Sequence, residues 1–106
     1  MLRERVAFKM KLKPGFEEEY KKRHDKIWPE LGEELTRAGV ADSSIFLDEE
    51  TNILVAVQKL AVNNTADQLP QTEIVKKWCK YMADIMDINP DHSPKVIRLK
   101  EVFHQA

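Results

Sequence analysis

A chain of 106 residues, 42% apolar and 33% charged, has the size and balance of one globular domain spanning residues 1–106, and is too apolar for a disordered segment. Seventeen basic side chains against eighteen acidic ones leave a net charge of −1, and Lys21, Lys22 and Arg23 stand beside Glu17, Glu18 and Glu19, so no single-sign patch points to nucleic acid; a small neutral ligand suits this balance better. A single cysteine, Cys79, excludes an intramolecular disulfide and a cysteine-based metal site.

The opening residues, Met1 to Arg5, carry charge, and Lys9, Lys11 and Lys13 interrupt the apolar residues that follow. No run approaches the roughly 20 apolar residues of a membrane span, so no membrane partner is expected and a reducing cytoplasm is the expected address. Val6, Phe8, Met10 and Leu12 alternate with Ala7, Lys9, Lys11 and Lys13, which predicts a strand with one wet face. Pro14-Gly15 ends it and opens a helix. The first turn of that helix is acidic, favourable at the positive end of the macrodipole, and Glu17, Glu18 and Glu19 each have a basic residue four positions on. Pro29 is expected to kink or restart the helix, with Leu31, Leu35 and Ala38 continuing its apolar stripe to Gly39.

Ser44 to Leu47 and Ile53 to Leu60 read as two strands joined by the polar turn Asp48 to Asn52. The second is nearly continuously apolar from Ile53 to Val57, which predicts cover on both faces. A polar segment, Asn63 to Pro70, leads into an amphipathic helix carrying Ile74, Trp78, Met82 and Ile85 on one side. Asn89 to Pro94 is a turn-rich loop, and Lys95 to Phe103 is expected to close the chain as a strand. The order βαββαβ predicts an α+β, ferredoxin-like arrangement: an antiparallel sheet with two helices on one face. Its other face would be covered by a second copy, giving a homodimer.

Tyr20, His24 and Trp28 are spaced i, i+4 and i+8, and share one helix face if the helix runs to Trp28. An indole offers an apolar plane to C–H groups, a phenol offers a hydrogen bond, and an imidazole offers a proton near neutral pH, a set suited to sugars. From spacing alone the plainer account is core or rim aromatics around a satisfied histidine. The Trp78–Met82 stripe is ordinarily core, with a place on a ligand pocket as its alternative. Turn chemistry alone explains the Asn89-Pro90-Asp91-His92-Ser93-Pro94 loop. His24, His92 and His104 are scattered without carboxylates at ligand spacing, so no metal site is expected. Gly15, Gly32 and Gly39 are too far apart to form a phosphate cradle, and no nucleotide cofactor is expected.

The stretch Tyr20 to Leu31 resembles the signature Y-x-x-R-H-x-x-I-W-P-E-L of L-rhamnose mutarotases. Trp78-Cys79-Lys80-Tyr81-Met82 with Asp84-Ile85-Met86, the Asn89 to Pro94 loop and Glu101-Val102-Phe103 are similar to further motifs of that family, in the same order. The resemblance implies a dimeric α/β barrel of ferredoxin-like subunits that interconverts the α and β anomers of L-rhamnose without a cofactor. His24 becomes the proton donor, with Tyr20 and Trp78 as substrate contacts. Cys79 stands where the family often has a second tryptophan, Ser43 where it often has a substrate-contacting tyrosine, and His92 where its loop usually has asparagine. Trp28 completes the expected binding set, and Asp91 or water is the candidate second proton acceptor. A cofactor-free monooxygenase or haem-degrading enzyme of the same shape, a mutarotase for another deoxy-sugar and a non-catalytic sugar sensor are the alternatives at this level.

Overall fold

The computed structural model describes residues 3–106; Met1 and Leu2, at the start of the charged N-terminal stretch, lie outside them. Strand β1 (Arg3–Lys11) leads through Pro14-Gly15 into helix α1 (Glu17–Asp25), and helix α2 (Pro29–Arg37) follows. Strands β2 (Val40–Asp48) and β3 (Ile53–Ala61) form a hairpin. A 3-10 turn (Ala66–Gln71), helix α3 (Glu73–Met82), a second 3-10 turn (Ala83–Ile85) and strand β4 (Ile97–Leu99) complete the order. The strands lie β2-β3-β1-β4, every pair antiparallel, which is the ferredoxin-like arrangement.

Pro29 breaks the first helical region outright. It has no N–H to give and disfavours helical backbone in the residue before it, so Trp28 is extended (φ −62°, ψ 131°) and α1 ends at Asp25. Trp28 therefore does not share a helical face with Tyr20 and His24. Of the three expected Glu–basic pairs, Glu19–Arg23 forms at 2.7 Å. Lys21 pairs instead with Asp25, and Glu17 accepts from the Gly15 amide, closing the tight turn at that glycine's φ of +87°.

The alternation of β1 works as read. Met10 and Phe8 sit opposite Leu54 and Ala56 of β3 on the helix side. Leu12, Leu54, Met82, Ile85 and Met86 are buried there with Tyr20, and Met10, Leu47, Trp78 and Ile88 pack around them. Two strands differ from expectation. β2 begins at Val40 rather than Ser44, because a bulge between Ala41 and Ser44, with Asp42 at φ +50°, breaks the period of two that would have revealed it. β4 has ladder pairing only at Ile97–Leu99, opposite Lys9, Phe8 and Ala7. Beyond it the Arg5–Glu101 ion pair (3.2 Å) keeps the same register, while Val102 and Phe103 are 87% and 77% exposed.

Within this chain β3 is covered on one face only, not both. Leu54, Ala56 and Leu60 are buried under the helices, while Val55 and Val57 look the other way. The register aligns two cross-strand rows on that open face: Phe46–Val55–Lys9–Ile97 and Ser44–Val57–Ala7–Leu99. Phe46 is 63% exposed and Ile97 59%. Among the described residues no helix is long and apolar enough to cross a membrane.

Candidate active site

The last two turns of α1 place Tyr20 and His24 one above the other, as i and i+4 side chains must be. Their rings stack with centroids 4.2 Å apart and planes 26° from parallel. His24 Nδ1 lies 3.1 Å from the Tyr20 carbonyl oxygen. A carbonyl only accepts, so Nδ1 carries a hydrogen, and Nε2 of the neutral ring is left with its lone pair free. Trp78 of α3 meets the imidazole in a T-shaped arrangement, centroids 5.4 Å apart at 89°. Trp28, extended by the proline, packs edge-on against Trp78 at 5.0 Å and beside Tyr81 at 5.4 Å. The expected trio thus does assemble, with Trp28 arriving through Trp78 rather than along a shared helix face.

Burial sets the chemistry of these groups. It lowers the His24 pKa, since a low-polarity setting penalises imidazolium; the Tyr20 carbonyl and the Asp25 charge offset this only in part. Burial pushes the Tyr20 phenol well above its ordinary value, so it stays a neutral hydroxyl at any working pH. No protein group among the described residues pairs with that hydroxyl, yet no buried polar side-chain atom there is unpaired. The hydroxyl must therefore reach solvent or a ligand.

The remaining expected residues sit less centrally. Cys79 is half-buried on α3, its thiol raised by burial and then by the Asp91 charge, so it is no nucleophile near neutral pH. Asp91 belongs to the Asn89–Pro94 loop. The loop is tied internally: Asn89 Nδ2 donates to Ser93 Oγ and the Pro94 carbonyl, and the Ser93 amide donates to Asp91. The Ser93 bonds hold the Asp91 carboxyl below its ordinary range, which makes it a weak proton acceptor. His92 is exposed at φ +73°. Ser43 is exposed in the β2 bulge, and no hydrogen bond or ring contact joins it to the aromatic cluster.

Two residues noted in the sequence but not among the expected site residues belong to this neighbourhood. Tyr81 touches both tryptophans, and the Arg23 guanidinium lies 4.5 Å above its ring. The three-residue step from Trp78 was the available signal for Tyr81. For Arg23 it was a cation inside an aromatic-rich motif.

Fold and site together define a small ferredoxin-like α+β protein with one titratable imidazole set among aromatic rings. The chain belongs to the L-rhamnose mutarotase family, whose model, described as L-rhamnose mutarotase, matches residues 5–105. An L-rhamnose mutarotase of Bacteroides thetaiotaomicron is 59% identical over 94% of this chain and 96% of its own length, and one of Flavobacterium johnsoniae is 57% identical over 94% of each. The crystal structure of an L-rhamnose mutarotase from Formosa agariphila matches with a TM-score of 0.90 at 53% identity, covering 97% of this chain and 99% of that one. A putative antibiotic biosynthesis monooxygenase from Bordetella bronchiseptica matches with a TM-score of 0.66 at 15% identity, covering 97% of this chain and 100% of that one, a likeness of fold alone.

Proposed function

We propose that this protein interconverts the α and β anomers of L-rhamnose, with His24 as its proton-transfer group and no cofactor. The observation that carries the reading is the free Nε2 of a half-buried, neutral imidazole enclosed by Tyr20 and Trp78 in a chain of this family.

The reaction needs one proton removed and one delivered. Neutral Nε2 takes the proton of the anomeric hydroxyl as that oxygen becomes the aldehyde C=O. The bond between the anomeric carbon and the ring oxygen breaks, and the ring oxygen receives a proton and becomes a hydroxyl. Both oxygens are bonded to the same carbon, so one imidazole within reach of the first is near the second and can act as base and then as acid. The aldehyde rotates, the ring hydroxyl adds to its other face, and the same transfers run in reverse. Asp91 is a poor second base because Ser93 already occupies its charge, so His24 alone or His24 with water suffices. Trp78 and Trp28 supply flat apolar surface for sugar C–H groups, and the Tyr20 hydroxyl a hydrogen bond. Ser43 and Cys79 belong to the rim of the same binding region.

The functional unit in this proposal is a single cytoplasmic domain working as a homodimer. The exposed Phe46 and Ile97 beside Val55, Val57 and Leu99 on the open sheet face support the dimer, and the lone thiol of Cys79 suits a reducing compartment. Polarimetry of freshly dissolved α-L-rhamnose tests the catalytic claim. The rotation should relax faster with wild-type protein than in buffer, while His24→Ala should lose most of that acceleration. Equal acceleration by His24→Ala would remove His24 from the mechanism.

A further inference from the structure

α1 carries His24 and α3 carries Trp78, yet the two helices make few close backbone approaches to each other. Side chains must therefore fix their separation. Arg23, next to His24 in the chain, spans the gap. Its Nε donates to Glu19 one turn back on α1 at 2.7 Å. Its two terminal nitrogens grip Asp84 as a fork, at 2.9 and 3.2 Å. One of them also donates to the Tyr81 carbonyl at 2.8 Å, in the last turn of α3. The guanidinium stacks over the Tyr81 ring, and its side chain is only 10% exposed.

Resting on the mutarotase reading above, we infer that Arg23 is a positioning residue, which locks the C-terminal turn of α3 to α1 and so sets Trp78 against His24. The planar guanidinium suits the task. It alone can give two parallel bonds to Asp84, a third to Glu19 and a flat face to Tyr81, whereas an ammonium offers one point of charge and no plane. Loosening this clamp lets the end of α3 drift. The indole then no longer keeps its T-shaped contact with the imidazole, and a displacement on the order of 1 Å at a reacting pair costs up to about 10²-fold in rate. Asp84 is held in its charged form chiefly by its hydrogen bond to Arg23, which keeps the clamp closed at neutral pH.

The test is Arg23→Lys in the full chain, beside Lys21→Gln, which removes the exposed Lys21–Asp25 pair on the same helix, as a control. Arg23→Lys should unfold cooperatively, lose about tenfold or more in kcat/KM with part of the loss in kcat, and show changed NMR shifts of the His24 ring protons, which the Tyr20 and Trp78 ring currents displace. Lys21→Gln should change none of these. Wild-type kinetics with unmoved His24 signals in Arg23→Lys overturn the proposal, as does a loss of rate matched by loss of folded protein alone. If Arg23→Lys does not fold, Asp84→Asn carries the same readouts with the arginine retained. If the wild-type protein proves to have no mutarotase activity, the ring-proton shifts still decide whether Arg23 sets the His24–Trp78 geometry.

Discussion

At the scale of single residues, burial governs His24. Its folded-state pKa lies below the ordinary imidazole value of about 6.5, so between the two values the unfolded chain binds more protons than the folded one. Stability should therefore fall as pH drops through the unfolded value, with the loss complete below the folded one, as denaturant titrations at several pH values would reveal. The same shift predicts that kcat/KM is flat near neutrality and declines on the acid side with a midpoint below 6.5; a midpoint above the ordinary value would contradict a desolvated base. His24→Ala should cost roughly 10²–10⁴-fold in exchange rate with an unchanged circular dichroism spectrum. Trp78→Ala should chiefly raise KM, measured by exchange rate against sugar concentration. The nearness of His24, Tyr20 and Trp78 was suggested by the motifs that carried the resemblance, whereas spacing alone favoured the core for all of them. Tyr20 fits both accounts at once, its ring in the core and its hydroxyl, on the proposal, a hydrogen-bond partner for the sugar. Arg23 was not legible beyond its Glu19 pair, because Asp84 is distant in sequence and only the fold brings it near.

At the scale of elements, local rules fixed most of the chain and failed where tertiary geometry overrode them. Alternation in β1 and the 3.6-residue stripe of α3 named the core correctly: Leu12 and Ile85 are fully buried. Pro29 was expected to kink or restart a helix and does restart it, while moving Trp28 onto a different route into the site. The β2 bulge hid four residues of strand, and the last strand has ladder pairing only at Ile97–Leu99. Gly39 is a further case, read only as a helix stop. It ends the helical region at φ +91°, and an added Cβ would meet Asn64 at 3.0 Å and Ala61 at 3.2 Å. Gly39→Ala should thus destabilise by roughly 1–3 kcal/mol in urea titration. Ile85→Ala, in the centre of the core, should cost about 2–5 kcal/mol.

At the scale of the whole molecule, composition and element order were enough for the ferredoxin-like topology, because βαββαβ with short connections leaves few alternatives. They also anticipated that both faces of β3 need cover, and the chain by itself supplies only one. On the proposal of a homodimer, light scattering at micromolar concentration should return twice the chain's 12.4 kDa. Phe46→Asp should shift that mass toward one chain by placing a charge in the middle of the open face; a wild-type monomer would sink the dimer. The account as a whole stands most directly on saturation-transfer NMR of the anomeric protons of L-rhamnose, with L-fucose and D-glucose alongside. It predicts that saturating the α-anomer proton depletes the β signal of L-rhamnose only when the protein is present, with little or no effect on the control sugars. Transfer no greater than in buffer, on protein shown to be folded, would contradict it.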